Sequence, residues 1–242
     1  MTELKQYAPV DRSGYSLYTY RMQRIPEPEL MNEPEQAMAY ARADFEAPHA
    51  RVIALFQEHF PDWSGDGYVL DLGCGPGDIA VRLARAYPHC HIDGIDGAAA
   101  MIDAGRQVFA DDRDFQQRVH LHLINLPNDR PPRTGYDATI SNSLLHHLHD
   151  PLVLWNAVRD YTLPGAPVFV IDLMRPLDCD TAADLARRYV GGEPEVLQRD
   201  FFNSLLAAFT VDEVKRQLHE TGLAHLSVSA ISDRHLMIQG IR

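Results

Sequence analysis

Apolar residues in this chain change their spacing several times, and the changes mark out its elements. Residues 68–72 (Tyr-Val-Leu-Asp-Leu) are an apolar run broken only by Asp71 and ended by a glycine-rich turn. A short run bounded in this way reads as a buried strand. Residues 89–96, 120–124, 136–142 and 167–174 read as four more strands. Between them, apolar residues fall at helical spacing: Ile79, Leu83 and Tyr87, then Met101, Gly105 and Val108, then Leu154, Val158 and Tyr161. Strands separated by helix-length stretches predict crossover units and a parallel sheet.

The flanks carry other patterns. Upstream, Asn32 is placed to cap a helix over residues 36–46, with Ala37, Ala41 and Phe45 at helical spacing. A second helix from Pro48 puts Val52, Ile53, Phe56 and Phe60 on one face, and Pro61 stops it. Downstream, residues 176–209 break the alternation with two helical stretches, 181–190 and 194–208, split by Gly191 and Gly192. Thr210 and Glu213 have capping-box spacing and open a helix to residue 221, which Gly222 closes. Residues 226–232 and 235–240 then predict a terminal antiparallel pair. Residues 1–31 lack apolar periodicity but hold Tyr7, Tyr15, Tyr18 and Tyr20. The expected organisation is a tyrosine-rich lid over residues 1–31 and one α/β domain over 32–242, with 176–209 as a cap insert.

Charge and composition narrow the partners. The 242 residues carry 34 acids against 22 bases, a net charge of −12, and Lys5 and Lys215 are the two lysines. An acidic chain without clustered bases is poorly suited to nucleic acid, where phosphates must be neutralised. Cys74, Cys90 and Cys179 have no CxxC spacing, and residues 1–21 lack a signal-like apolar run. These features predict a reduced, cytoplasmic setting. No apolar stretch approaches the roughly 18 residues of a membrane span. The expected partner is a small molecule, and oligomeric state leaves no sequence signal.

The chemistry centres on Val69-Leu-Asp-Leu-Gly-Cys-Gly-Pro-Gly77. Gly73, Gly75 and Gly77 let backbone approach a ligand at the carboxyl end of a strand, where open α/β sheets bind ligands. The dinucleotide fingerprint is G-x-G-x-x-G. Here the third glycine comes one place early, and Asp78 stands where that fingerprint wants glycine. Asp96, ending the second strand, is placed to accept the hydroxyls of a ribose. Asp93 lies mid-strand before Gly94 and reads as structural.

Taken with Gly94-Ile-Asp-Gly97, Met101-Ile102, Tyr136-Asp-Ala-Thr-Ile-Ser-Asn142 and Leu144-Leu-His-His-Leu148, this stretch resembles the class I S-adenosylmethionine-dependent methyltransferases. The resemblance covers residues 67–172. It implies a Rossmann-like, seven-stranded, mostly parallel sheet with an antiparallel last strand and helices on both faces. It also implies S-adenosyl-L-methionine as cofactor. By position, Gly73, Gly75 and Gly77 would line the methionine part, Asp71 would orient the turn, and Asp96 would bind the ribose. Gly97 and Met101 would flank the adenine, while Ser141 and Asn142 would meet the methionine end. Relatives often carry an acid after the third strand to read the adenine edge. This chain has His122-Leu-Ile-Asn-Leu-Pro127, so that task falls to Asn125 or nearby backbone.

The acceptor side is less defined. His146 and Tyr20 are the candidates for catalysis. Neighbouring positions such as His146 and His147 point different ways on a helix or loop, and metal sites favour i,i+4 pairs, so no metal site is expected. Tyr15, Tyr18 and Arg21 on the lid, with Arg175 beyond the fifth strand and Arg199 and Asn203 in the cap, are the candidate substrate contacts. Arg24 joins Arg21 as a partner for a carboxylate. These residues predict methyl transfer to a small polar molecule, with carboxylate-bearing ones among the candidates. Two other classes share part of the pattern: a nicotinamide-dependent oxidoreductase and a non-catalytic S-adenosylmethionine-binding protein.

Overall fold

The computed structural model describes residues 22–28, 30–43 and 45–242. Its strands are β1 (Gly67–Leu72), β2 (Cys90–Asp96), β3 (Val119–Leu123), β4 (Ala138–Asn142), β5 (Pro167–Leu173), β6 (Ser227–Ala230) and β7 (His235–Ile241). They form one sheet in the order β3-β2-β1-β4-β5-β7-β6. The pairs β1–β2, β2–β3, β1–β4 and β4–β5 are parallel, and β7 pairs antiparallel with both β5 and β6. Thus β7 is inserted between β5 and β6, and the other six strands share one direction. The order reverses between β1 and β4, and the ends of those strands open a crevice at this switch point.

The helices are α1 (Pro34–Arg42), α2 (Glu46–His59), α3 (Asp78–Ala86), α4 (Ala99–Val108), α5 (Arg113–Arg118), α6 (Leu152–Tyr161), α7 (Cys179–Val190), α8 (Glu195–Ala207) and α9 (Val211–Glu220). Strand side chains alternate between two cores, as the period of two requires. Val69, Ile140, Phe169 and Ile171 pack with α2 and α3, around Phe56 and Leu83. Leu70, Leu72, Val168 and Val170 pack with α6 and α9, around Trp155 and Leu218. The Trp155 indole donates to Gln217 at 2.9 Å, which fixes α6 against α9. The capping box of Thr210 and Glu213 opens α9 as expected.

Local departures have local causes. The first helix begins after Glu33 rather than Asn32, with Pro34 at its first position, where a missing N–H costs nothing. Helix α5 escapes a reading based on apolar spacing because it has no buried residue. Its signal is Asp112, whose carboxylate accepts from the Phe115 N–H at 3.0 Å. Val108, expected to face inward, is 38% exposed. Asp93 is structural, as expected: it meets Tyr136 Oη, Arg133 Nε and His122 Nε2 at 3.1, 3.1 and 3.2 Å.

One packing contact fixes the glycine turn from behind. Gly105 on α4 lies so close to the turn that a Cβ there would sit 2.2 Å from the Pro76 carbonyl oxygen. Alanine gains roughly 1 kcal/mol over glycine in a helix, but overpacking costs about 1–3 kcal/mol and often more against backbone. The expected outcome for Gly105→Ala is a net loss of stability on denaturant titration, together with weaker cofactor binding. A variant as stable as the parent, with unchanged binding, would contradict this role for the contact.

Candidate functional site

Strand β1 delivers Asp71 and then the turn. Gly73, Gly75 and Gly77 take φ values of 68°, 53° and 90°, a region that side chains rarely adopt. The Gly73 and Cys74 N–H groups donate to the Ile95 carbonyl, at 2.9 and 3.0 Å. The turn is thereby hung from the end of β2. Asp96 completes the tie: its carboxylate accepts from Gly75 N–H at 2.9 Å and from Ala98 N–H at 2.8 Å. Burial raises the Asp96 carboxyl, while those two N–H groups oppose the shift. A carboxylate has about four acceptor sites. Two remain for a ligand's hydroxyls.

Asp71 is 1% exposed, and its Oδ2 has no hydrogen-bond partner. Burial, and then the Asp96 carboxylate, push its carboxyl up to about 7. This orphaned oxygen at the cavity wall suits a cationic ligand group such as an ammonium. The sign of the stability effect follows from the upward shift. The protonated form is favoured in the fold, so no cost arises below an ordinary 3.8. The cost grows as pH rises toward about 7 and is constant above it. Asp71→Asn is expected to be the more stable protein at pH 8, by at most about 4 kcal/mol, and no more stable near pH 4. Urea titrations across that range check it; a difference that does not change with pH would count against it.

The cavity in front of the turn has a volume of about 1740 Å³, above the roughly 300–1,000 Å³ of a single small-molecule pocket. Two ligands fit. Its donor end is lined by Asp71, Gly73, Gly75, Asp96, Gly97, Met101, Asn125 and Asn142. Met101 packs under α1 with Ala37, Ala98 and Ala104. A Cβ on Gly97 would meet Leu30 at 2.9 Å and Asn125 at 3.7 Å. Gly97 and Asn125 thus adjoin beside Leu30, and Met101 lines the same cavity. Gly77 acts differently: it is the N-cap of α3 and is not in the cavity wall. Ser141 also fails to reach the cavity. Its hydroxyl is buried in the sheet, donating to the Leu72 carbonyl at 2.7 Å.

The other end of the cavity lies between residues 22–28, 30 and 31 and helices α7 and α8. Backbone N–H groups of Met22 and Ile25 donate to Leu177 and Leu206 carbonyls, at 3.1 and 3.0 Å. Arg24 donates to the carbonyls of Ala207, His146 and Leu148, at 2.5, 2.8 and 2.8 Å. Arg24 is therefore a strap for its own segment, contrary to its expected use on a substrate carboxylate. Arg175 likewise turns to the protein, although its buried Nε has no hydrogen-bond partner. It donates to Glu213 at 2.6 Å and to the Ala208 carbonyl at 3.0 Å, away from the cavity wall. Arg199 and Asn203 do line the cavity, and Arg199 pairs with Asp200 at 3.1 Å. Tyr15, Tyr18, Tyr20 and Arg21 lie outside the described residues.

His146 is 3% exposed, and its Nδ1 meets Asp172 at 2.6 Å. Burial disfavours the charged ring, but Asp172 and Glu27 outweigh it and the net shift is upward. His147 goes the other way: burial and then His146 hold it well below the ordinary range. The two rings lie side by side, with centroids 4.2 Å apart. The expectation that neighbouring histidines diverge fails because residues 143–148 form a turn. Ser143 opens it at φ 60°, and His147 N–H closes onto the Leu144 carbonyl.

Several site residues carried no usable sequence signal. Glu27 faces both histidines, with its Oε1 3.3 Å from His147 Nδ1. Burial is the main cause of its raised carboxyl. Tyr40 lines the cavity from α1, and burial, reinforced by Asp78 and Asp96, pushes its phenol up to about 12, so it stays a donor. His235 at the start of β7 is pushed down to about 4 by burial and by Arg234, leaving a neutral ring in the wall. No helix among the described residues is long and apolar enough to cross a membrane.

Residues 70–168 match the family described as a methyltransferase domain. An uncharacterized methyltransferase of Mycobacterium tuberculosis is 30% identical over 112 residues, covering 46% of this chain and 53% of that protein. A trans-aconitate 2-methyltransferase of Afipia carboxidovorans is 28% identical over 110 residues, covering 46% of this chain and 40% of that protein. The chain thus spans about half the length of the curated relatives it matches. Human N-acetylserotonin methyltransferase, solved with S-adenosylmethionine, superposes with a TM-score of 0.58 at 18% identity. That superposition covers 87% of this chain and 57% of the human one, and it speaks to the fold alone.

Proposed function

We propose that this chain, a class I S-adenosylmethionine-dependent methyltransferase by its fold and by the family match over residues 70–168, moves a methyl group to a small polar acceptor. The observation that carries the acceptor reading is the size of the cavity, about 1740 Å³, with Asp71 and Asp96 at one end and His146, Asn203 and Arg199 at the other. The chain's own groups fit the donor. The orphaned Asp71 oxygen suits its ammonium, the free acceptor sites of Asp96 suit its ribose, and the glycine turn leaves room for its methionine part.

Bound S-adenosylmethionine supplies an electrophilic methyl on a sulfonium sulfur. The protein's part is alignment and exclusion of water, worth on the order of 7–11 kcal/mol when reacting atoms are well oriented. In this reading residues 1–31 are the lid and residues 176–209 the cap. The described portion of the lid, with its straps from Arg24, keeps water from the acceptor end. Asp172 orients the His146 ring, whose Nε2 is at hand to receive a proton from an alcohol or amine. A carboxylate acceptor needs no such base.

The named activity of the Afipia relative fits an acid-bearing acceptor. So does Arg199, the guanidinium from the sequence reading that lines the described cavity. The test is transfer of labelled methyl from S-adenosylmethionine to a panel of small di- and tricarboxylic acids, amines and alcohols. Label on one or more of the acids, with KM raised by Arg199→Ala, is the expected outcome. Label on amines alone would overturn the carboxylate reading, and label on none of the panel would overturn the small-acceptor reading.

A further inference from the structure

We propose that Glu27, His146 and His147 form a binding site for one divalent transition-metal ion of the zinc class. The inference stands apart from the methyl-donor reading, because its readout is metal binding; with the ion bound, His146 Nε2 is a ligand and no longer a base for the acceptor. One ligand atom from each residue lies within 4.8 Å of the others. Glu27 Oε1 is 3.3 Å from His147 Nδ1 and 3.7 Å from His146 Nε2. Tetrahedral bonds of 2.0–2.1 Å to such ligands place neighbouring donor atoms roughly 3.4 Å apart. Two of the three separations are already near that figure, and the two ring nitrogens, within 4.8 Å of each other, must draw together.

Hydrogen bonding decides which lone pairs face the centre. His146 gives its Nδ1 side to Asp172 at 2.6 Å, so the neutral ring presents a lone pair from Nε2. The one N–H of a neutral His147 goes to the Pro28 carbonyl, and its buried Nδ1 has no hydrogen-bond partner. That orphaned nitrogen faces an acceptor oxygen of Glu27. Two acceptors that face each other cost free energy unless a cation or a shared proton joins them. Ser204 donates to Glu27 Oε1 at 2.9 Å and holds the carboxylate in place.

Each ligand thus has its own supporting partner: Asp172 on His146, the Pro28 carbonyl on His147, and Ser204 on Glu27. Metal-binding histidines nearly always show such outer contacts, because these fix the tautomer and aim the lone pair. Two imidazoles and a carboxylate select a borderline ion such as zinc over magnesium or calcium, which prefer all-oxygen sites. All three ligands lie in the cavity wall. A three-ligand site of this kind leaves positions open toward the acceptor end, as catalytic rather than structural zinc sites do. Glu27 comes from the strap and the histidines from the loop after β4, so the ion would also pin the strap over the cavity.

The full-length chain, stripped with a chelator, should be titrated with Co²⁺ and then with Zn²⁺. The expected result is one equivalent of Co²⁺ with a saturable visible d–d band, displaced by Zn²⁺, and a Zn²⁺-dependent rise in thermal midpoint. His147→Gln and Glu27→Gln each remove a ligand and should weaken binding by more than the roughly 10–100-fold that losing an outer contact costs. Asp172→Asn, one shell further out, should weaken it about 10–100-fold. Absence of a saturable band at millimolar metal would overturn the proposal and leave a shared proton between Glu27 and His147. Equal binding by the parent and both ligand variants would also overturn it, placing the ion on other histidines. Should one variant fail to fold, the other and the Zn²⁺ shift of the parent still decide.

Discussion

Asp172→Ala is expected to lower the free energy of unfolding by about 3–5 kcal/mol, as for breaking a buried charged network. Asp172 is 1% exposed at the end of β5. Its Oδ2 accepts from Leu145 N–H at 2.7 Å, and its Oδ1 accepts from Leu173 N–H at 2.7 Å and meets His146 Nδ1 at 2.6 Å. Alanine would strand the Leu145 N–H and the ring nitrogen in an interior that water does not reach. Each stranded buried donor costs about 1–3 kcal/mol. Asp172→Asn keeps an acceptor oxygen for one of them and should lose less. Urea midpoints at constant slope measure the difference. A loss below about 1 kcal/mol, the level of an ordinary exposed pair, would show that the network does not hold the loop after β4.

Asp96→Ala should act on binding more than on folding. Its carboxylate already takes two backbone N–H groups, from Gly75 and Ala98, and keeps two acceptor sites for a ribose diol. Hydrogen bonds to a charged group contribute about 1.5–3 kcal/mol each. Losing two corresponds to a fall of about 100-fold or more in affinity for S-adenosylhomocysteine. The variant also frees Gly75 from its tether, so the turn itself loosens. Asp96→Asn, which exchanges one acceptor for a donor, should fall between the two proteins. Calorimetric affinities within a few-fold of the parent would remove the ribose role.

The parallel sheet was legible because its central strands, such as β1, β4 and β5, are short apolar runs buried on both faces, with helix-spaced residues between them. The glycine turn was legible for a different reason. Gly73 and Gly75 hold backbone angles that restrict the residue type, and Asp96 must end β2 to tie the turn. Chemistry fixed in the backbone leaves a mark in local sequence.

Long-range pairing leaves none. Arg175 stood at the right edge of the sheet for an anion clamp, yet Glu213, a capping residue on α9, takes its charge. Arg24 looked free among tyrosines, but three carbonyls, one at the end of α8 and two in the loop after β4, engage it. Ser141 was assigned a ligand on its place in β4, while the neighbouring Leu72 carbonyl claims its hydroxyl. Glu27 shows the converse. It is one acid among many in a proline-interrupted segment, and only the fold sets it against His146 and His147. The adjacency of those histidines argued against a shared ligand because neighbours on a helix or loop were expected to diverge. The turn at Ser143 removes that assumption.

The central claim is that the turn after β1, with Asp71 and Asp96, holds S-adenosylmethionine. Isothermal titration of the folded chain with S-adenosylhomocysteine tests it most directly. The account predicts one saturable site per chain, tightening as pH rises through about 7 and the Asp71 carboxylate becomes available to the ligand's ammonium. No heat of binding to demonstrably folded protein would contradict it.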